Sequence, residues 1–207
     1  MSTLTSAEKS TKKYHHGDLR QVLLAEGIKL VREQGPDTLS LRELARRAGV
    51  SAMAPYRHYP DKDSLLAAIA AEGFRRLARQ LASVTDARAG TGGPLLQSGL
   101  AYVRFALAEP ALFRLMFSAR RFKDDAPELN QARAASFDAL MRHLNADAGP
   151  EQQRARAHGC WALVHGLALL LLDGLLQIPE TGSRDAWLAQ IIAGTVGRSS
   201  PTTDGSS

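Results

Sequence analysis

Residues 38–62 read TLSLRELARRAGVSAMAPYRHYPDK, and the fold of the N-terminal part follows from them. Ser40 and Glu43 form an S-x-x-E capping box, which predicts a short helix with Leu41, Leu44, Ala45 and Ala48 along one face. The opposite face carries Arg42, Arg46 and Arg47. Gly49 supplies a left-handed turn, Val50 plugs the angle, and Ser51 opens a second helix of barely two turns. Pro55 falls in or at the edge of its first turn, where a missing donor costs little. Two short helices joined by a tight glycine turn make the bihelical unit whose second member enters the DNA major groove.

The outward side chains of that second helix are Ala52 and Ala54, then Arg57 and His58. Small residues permit close approach to base edges, and arginine is the commonest reader of guanine. Tyr56 and Tyr59 have hydroxyls able to reach phosphate and bodies able to pack beneath the helix, so each is either a backbone contact or core. Pro60-Asp61-Lys62 starts a longer helix whose N-terminal amides, with Lys62, face the same anion. Arg46 and Arg47 read as a solvated face.

Upstream, a helix is expected from Asp18 to the stop at Gln34-Gly35-Pro36, burying Leu23, Leu24, Ile28, Leu30 and Val31. Downstream, 86–94 (DARAGTGGP) crowds Gly, Ala and Pro between periodic segments and marks a hinge. Beyond it, helices are expected over 94–108, 110–118, 127–147, 151–177 and 184–197, four of them opened by prolines suited to a first turn. No alternating run is long enough for a sheet, and the class is all-α. The domain reading is a disordered arm at 1–14, a DNA-binding head at 15–86, a helical body for ligand and dimerisation at 94–198, and a disordered tail at 199–207.

Composition agrees with a globular chain: 207 residues, 44% hydrophobic and 23% charged. The net charge of +5 sits mostly in residues 1–86, with 14 basic and 10 acidic side chains. That asymmetry suits a polyanion-binding head on a near-neutral body. One cysteine allows no internal disulfide, and the polar N-terminus lacks an apolar export segment, so a cytoplasmic location is expected. The greasy stretch 161–178 holds His165 and Asp173 and reads as a soluble core helix rather than a membrane span.

Taken together, YHHGDLR, LSLRELARRAGVSAMAPYRHYPDK and the helix after them resemble the N-terminal domain of the TetR family of bacterial regulators. The resemblance covers about residues 15–80 without a gap. W-A-L-V-H-G at 161–166, with Asp173-Gly174, resembles the WHG-type ligand-binding domain of one branch of that family. Met53 and Pro55 depart from the glycine and aliphatic residue of many members. The resemblance implies Arg42, Ala52, Met53, Ala54, Arg57 and His58 near base edges, and Ser40, Tyr56, Tyr59 and Lys62 near phosphates.

The body is rich in Phe and Met, which suit the walls of an adaptable cavity. Phe105, Phe113, Met116, Phe117, Phe137, Met141, Trp161 and His165 are the candidate ligand-binding residues, with Asp173 as a further polar group. His158, Cys160 and His165 lack an acidic orienter and spacing for a metal, so no metal site, cofactor or catalytic residue is expected. The implied partners are double-stranded operator DNA, a small-molecule effector, and a second copy of the chain joined through helices near 151–177 and 184–197. The function expected is a repressor released from a palindromic operator by an apolar or aromatic ligand. A constitutive DNA-binding protein without a ligand, or an all-α enzyme, are the competing readings.

Overall fold

The computed structural model describes residues 16–85, 92–118, 122, 126–144 and 149–196. The expected arm and tail, the tip of the hinge at 86–91 and residues 145–147 lie outside the described residues. Every regular element described is helical: α1 (His16–Gln34), α2 (Leu41–Arg47), a single 3-10 turn (Pro55–Arg57), α3 (Lys62–Ala82), α4 (Gly93–Ala108), α5 (Pro110–Met116), α6 (Pro127–Met141), α7 (Pro150–Leu172) and α8 (Arg184–Val196).

In the head, α1 begins at His16, two residues before the expected start, and packs on both α2 and α3. Leu23, Ile28, Leu30 and Val31 are buried there with Leu41, Leu44, Leu65 and Ile69. Each such side chain contributes about 1.5–3 kcal/mol by leaving water. The turn after α2 is set by Gly49 at φ 66°. Gly49 N–H donates to the Arg46 carbonyl (3.3 Å) and Val50 N–H to that of Ala45 (3.0 Å), a paired closure that needs a left-handed residue between them.

The second helix of the motif departs from expectation. In place of two α-turns, residues 52–54 form a turn that runs into the 3-10 turn Pro55–Arg57. Proline is the reason. Pro55 has no N–H to give the Ser51 carbonyl, which takes the Ala54 amide instead at 2.9 Å, and the tighter pattern persists.

α3 is the structural spine. It packs on α1 at one end of the molecule and on α4, α5 and α6 at the other. One continuous hydrophobic core results, running from Leu23 through Phe74 and Tyr102 to Leu188 and Ile192. α7 and α8 lie against α4, with Val164, Leu167, Ala168, Leu188 and Ile192 turned inward.

Two body helices stop short of expectation. α7 ends at Leu172 because Gly174, at φ 69°, reverses the chain: Gly174 N–H bonds the Leu171 carbonyl (3.2 Å) and Leu175 N–H that of Leu170 (2.9 Å). α6 closes at Met141 with a tight bond from Leu144 N–H to the Met141 carbonyl (3.0 Å).

The N-terminus of α3 is held by Asp61, whose Oδ1 accepts from the Ser64 amide (2.7 Å) and hydroxyl (2.6 Å). Asp61→Ala is expected to lower stability by about 1 kcal/mol, read as a lower urea midpoint at unchanged m-value. An unchanged midpoint would remove the cap from the account of how α3 starts.

Candidate functional site

Ser40 caps α2 by accepting from the Glu43 amide at 3.2 Å. The reciprocal half of the capping box is not made, because Glu43 turns outward to Arg46 (2.7 Å) and Arg47 (3.1 Å). Hydrogen bonds from those two guanidinium groups lower the Glu43 carboxyl to about 2. Arg47 also holds Glu33 of α1 at 2.6 Å. Lys62 donates to the Asp37 carbonyl, tying the start of α3 to the loop after α1.

The allocation of carboxylates therefore sorts the cations of the motif. Arg46 and Arg47 are spent on Glu43 and Glu33, and Lys62 on a backbone carbonyl. Arg42 and Arg57 are exposed, and among the described residues neither has a hydrogen-bond or ion-pair partner. Met53 is 66% exposed and Tyr56 39%, with Ala52 also open and Ala54 and His58 half-buried. An exposed methionine and tyrosine beside two free guanidinium groups make a surface with unsatisfied chemistry.

Tyr59 corrects the expectation of a phosphate contact. It is 2% exposed, and its hydroxyl donates to the Arg20 carbonyl at 3.4 Å while the Arg20 guanidinium lies 5.9 Å from its ring centre. Its alternative role as a core aromatic is the one realised.

In the body, a cavity of about 370 Å³ opens between α3, α4, α6 and α7 and the end of α5. Of the eight residues expected there, Phe117, Phe137 and Trp161 line it. Phe113 and His165 stand one layer behind, with His165 4.5 Å from Phe117 and 5.5 Å from Phe113 between ring centres. Phe105 and Met116 are core, and Met141 faces a separate small gap beside Cys160. Asp173 is exposed and pairs with Arg114 at 2.6 Å, so it lies away from the cavity. Among the described residues no cluster of three metal-ligating side chains occurs.

Sequence reasoning missed Phe74, Tyr102, Asn130, Arg133 and His158, all of which line the cavity. The Tyr102 hydroxyl accepts from Trp161 Nε1 (3.3 Å) and meets His165 Nδ1 at 2.9 Å. With one lone pair engaged by the indole, the phenol proton is best placed on His165. Burial holds the Tyr102 phenol above its ordinary value and pushes His165 below the usual histidine range, so both are neutral near pH 7. The polar groups at the inner wall thus satisfy one another.

A reading head of two short helical segments, carried on a long helix that enters a helical body, defines a helix-turn-helix protein. Residues 23–69 match the family described as bacterial regulatory proteins, tetR family, and residues 95–194 match the tetracyclin repressor-like C-terminal domain. The chain is similar to a Rhodococcus sp. RHA1 protein described as of unknown function, at 34% identity and TM-score 0.71, over 90% of this chain and 95% of that one. It shares its fold with a tetR-family transcriptional regulator from Streptomyces coelicolor, at 24% identity and TM-score 0.69, over 87% of this chain and 80% of that one. A nicotine-responsive transcriptional repressor of Paenarthrobacter nicotinovorans is 36% identical over 69 residues, which are 33% of this chain and 36% of the repressor. The chain therefore belongs to the TetR family of bacterial regulatory proteins, whose members are regulators and not enzymes.

Because the folded state depresses His165, its contribution to stability is complete above the unfolded value of 6.5 and is lost as pH falls through the folded value. The difference in thermal midpoint between wild type and His165→Gln should shrink on going from about pH 7.5 to about pH 5. A difference that stays constant over that range would show that His165 is not held neutral by the aromatic layer.

Proposed function

We propose that this protein is a dimeric repressor that grips a near-palindromic operator with residues 40–62 and is released when a small apolar or aromatic molecule fills the cavity of the body. The observation that carries the DNA half is the contrast within the motif: Arg42 and Arg57 are exposed and without partners among the described residues, while Arg46 and Arg47 are spent on carboxylates. Arg42 and Arg57, with Ala52, Met53, Ala54 and His58, are assigned to base edges, and Ser40, Tyr56 and Lys62 to phosphates. Lys62 gives one of its three donors to the Asp37 carbonyl and has two left for a phosphate.

Three features support the ligand half: the size of the cavity, its aromatic wall, and the path from it to the head. Phe74 lines the cavity, and the same helix carries Asp61 and Lys62 at its other end. A ligand pressing on Phe74 acts on the helix that holds the reading head, and it releases DNA only if it prefers the DNA-incompetent arrangement. The nicotine response belongs to a repressor matched over a third of this chain, and it is not carried over.

Dimerisation through α7 and α8 is supported, at the end of α7 and just beyond it, by apolar surface that the single chain leaves open. Leu170 is 44% exposed and Leu175 75%, and α7 is long and apolar enough to cross a membrane, although it packs on α4 and α8. A second copy covering this face would bury it in a four-helix contact. Leu171, by contrast, packs against the core, so the outward positions are Leu170 and Leu175. Location in the cytoplasm follows from the DNA partner.

Gel-shifts with the DNA upstream of the gene, repeated with a small-molecule library, test the whole reading; operator affinity unmoved by any compound would favour a constitutive DNA-binding protein. Arg57→Ala should weaken operator binding by about 1–3 kcal/mol, and Arg46→Ala by less than about 0.5 kcal/mol. Equal losses would remove the distinction between free and spent arginines. A double variant, Leu170→Glu with Leu175→Asp, should sediment as a monomer and lose the operator; an intact dimer would move the interface elsewhere.

A further inference from the structure

The cavity is asymmetric in its polarity. Phe74, Tyr102, Phe117, Phe137 and Trp161 make an aromatic wall, and the Tyr102 hydroxyl and Trp161 indole N–H are engaged with each other and with His165. Ser136 likewise donates to the Arg133 carbonyl at 2.8 Å. What stays open is at the mouth, where His158 and Arg133 are exposed; the Arg133 guanidinium lies 5.5 Å from the centre of the Phe74 ring and, among the described residues, donates only to Asn130 Oδ1, at 3.4 Å.

Arg133 differs in this from the arginines of the neighbouring helix. Arg75, Arg76 and Arg79 of α3 are each within ion-pair distance of Glu72 or Glu128. Among the described residues, Arg133 has no carboxylate partner and none of those lining the cavity is acidic. Arg133 is exposed beside the ring of Phe74, and its planar fork of N–H donors matches the two oxygens of a carboxylate.

We propose that the effector is a small aromatic carboxylate, with its ring against Phe137 and Trp161 and its carboxylate on Arg133 beside Asn130. This inference rests on the cavity being the effector site. It orders three ligands of one size: the carboxylate binds best, its neutral amide less well, and a protonated amine worst, because the amine would meet a like charge at the mouth.

Calorimetry of the full chain at neutral pH with 3-phenylpropionate, 3-phenylpropanamide and phenethylammonium tests the order. The carboxylate should bind about tenfold or more tighter than the amide, a preference that Arg133→Gln abolishes and Arg133→Lys restores in part. Ala134 is exposed and lines the cavity, so Ala134→Trp should obstruct it and abolish binding without disturbing the core. Amide binding equal to or tighter than that of the carboxylate, and lost in Ala134→Trp, would overturn the anion and leave the cavity as the effector site. Carboxylate binding unchanged in Ala134→Trp would overturn both. No heat from any of the three would also overturn the inference, and operator release by the compound library would then decide the cavity on its own.

Discussion

α3 has to be buried along two different lengths of its surface. Its first turns pack under α1 with Leu65, Leu66 and Ile69, and its later turns pack on α5 and α6 with Phe74, Leu77 and Leu81. Most of the stability of such a helix comes from packing, here from the two faces it covers. Head and body are consequently joined by a rigid element and share one core. A displacement of α6 by a bound molecule meets Phe74 on that element, which lines the cavity on one side and packs into the core on the other. Packing of that kind shifts between discrete arrangements and does not deform smoothly, which is the physical condition for a signal to cross from body to head.

The charge on this protein is abundant, and what distinguishes one arginine from another is which carboxylate it can reach. Glu43 and Glu33 occupy Arg46 and Arg47, Glu72 occupies Arg76 and Arg79, and Glu128 bridges Arg20 of α1 and Arg75 of α3 from the start of α6. Exposed pairs of this sort add little to stability, about 0–1 kcal/mol each. Their effect lies in withdrawing those cations from other partners. Arg42 and Arg57 on the head and Arg133 at the cavity are among those without a carboxylate partner in the described residues, and both halves of the proposed function draw on them.

The reading head was legible because its signals are local. Ser40 as a cap, Gly49 as a left-handed turn, the apolar face of Leu41, Leu44 and Ala45, and Asp61 as the next cap are all within a few residues of what they act on. Backbone geometry at that range depends on residue type more than on context. The exceptions are also local. Pro55 denied an α-helix to residues that otherwise fit one, and Gly174 ended α7 inside a run whose apolar character predicted that it would continue.

By itself, then, the sequence determined an all-helical chain, a glycine-turned bihelical motif under a positively charged face, and a body rich in aromatic residues. The cavity was decided only by the tertiary structure. Its walls come from α3, α4, α6 and α7, helices whose faces meet nowhere along the chain, so composition could name Phe117, Phe137 and Trp161 but could not separate them from the core residues Phe105, Phe113 and Met116. Phe74 and Arg133 had no sequence signal for the site at all. One reads as the core of the head and the other as a solvated helix position, and it is the packing of α3 on α6 that brings a ring and a guanidinium together at the cavity mouth.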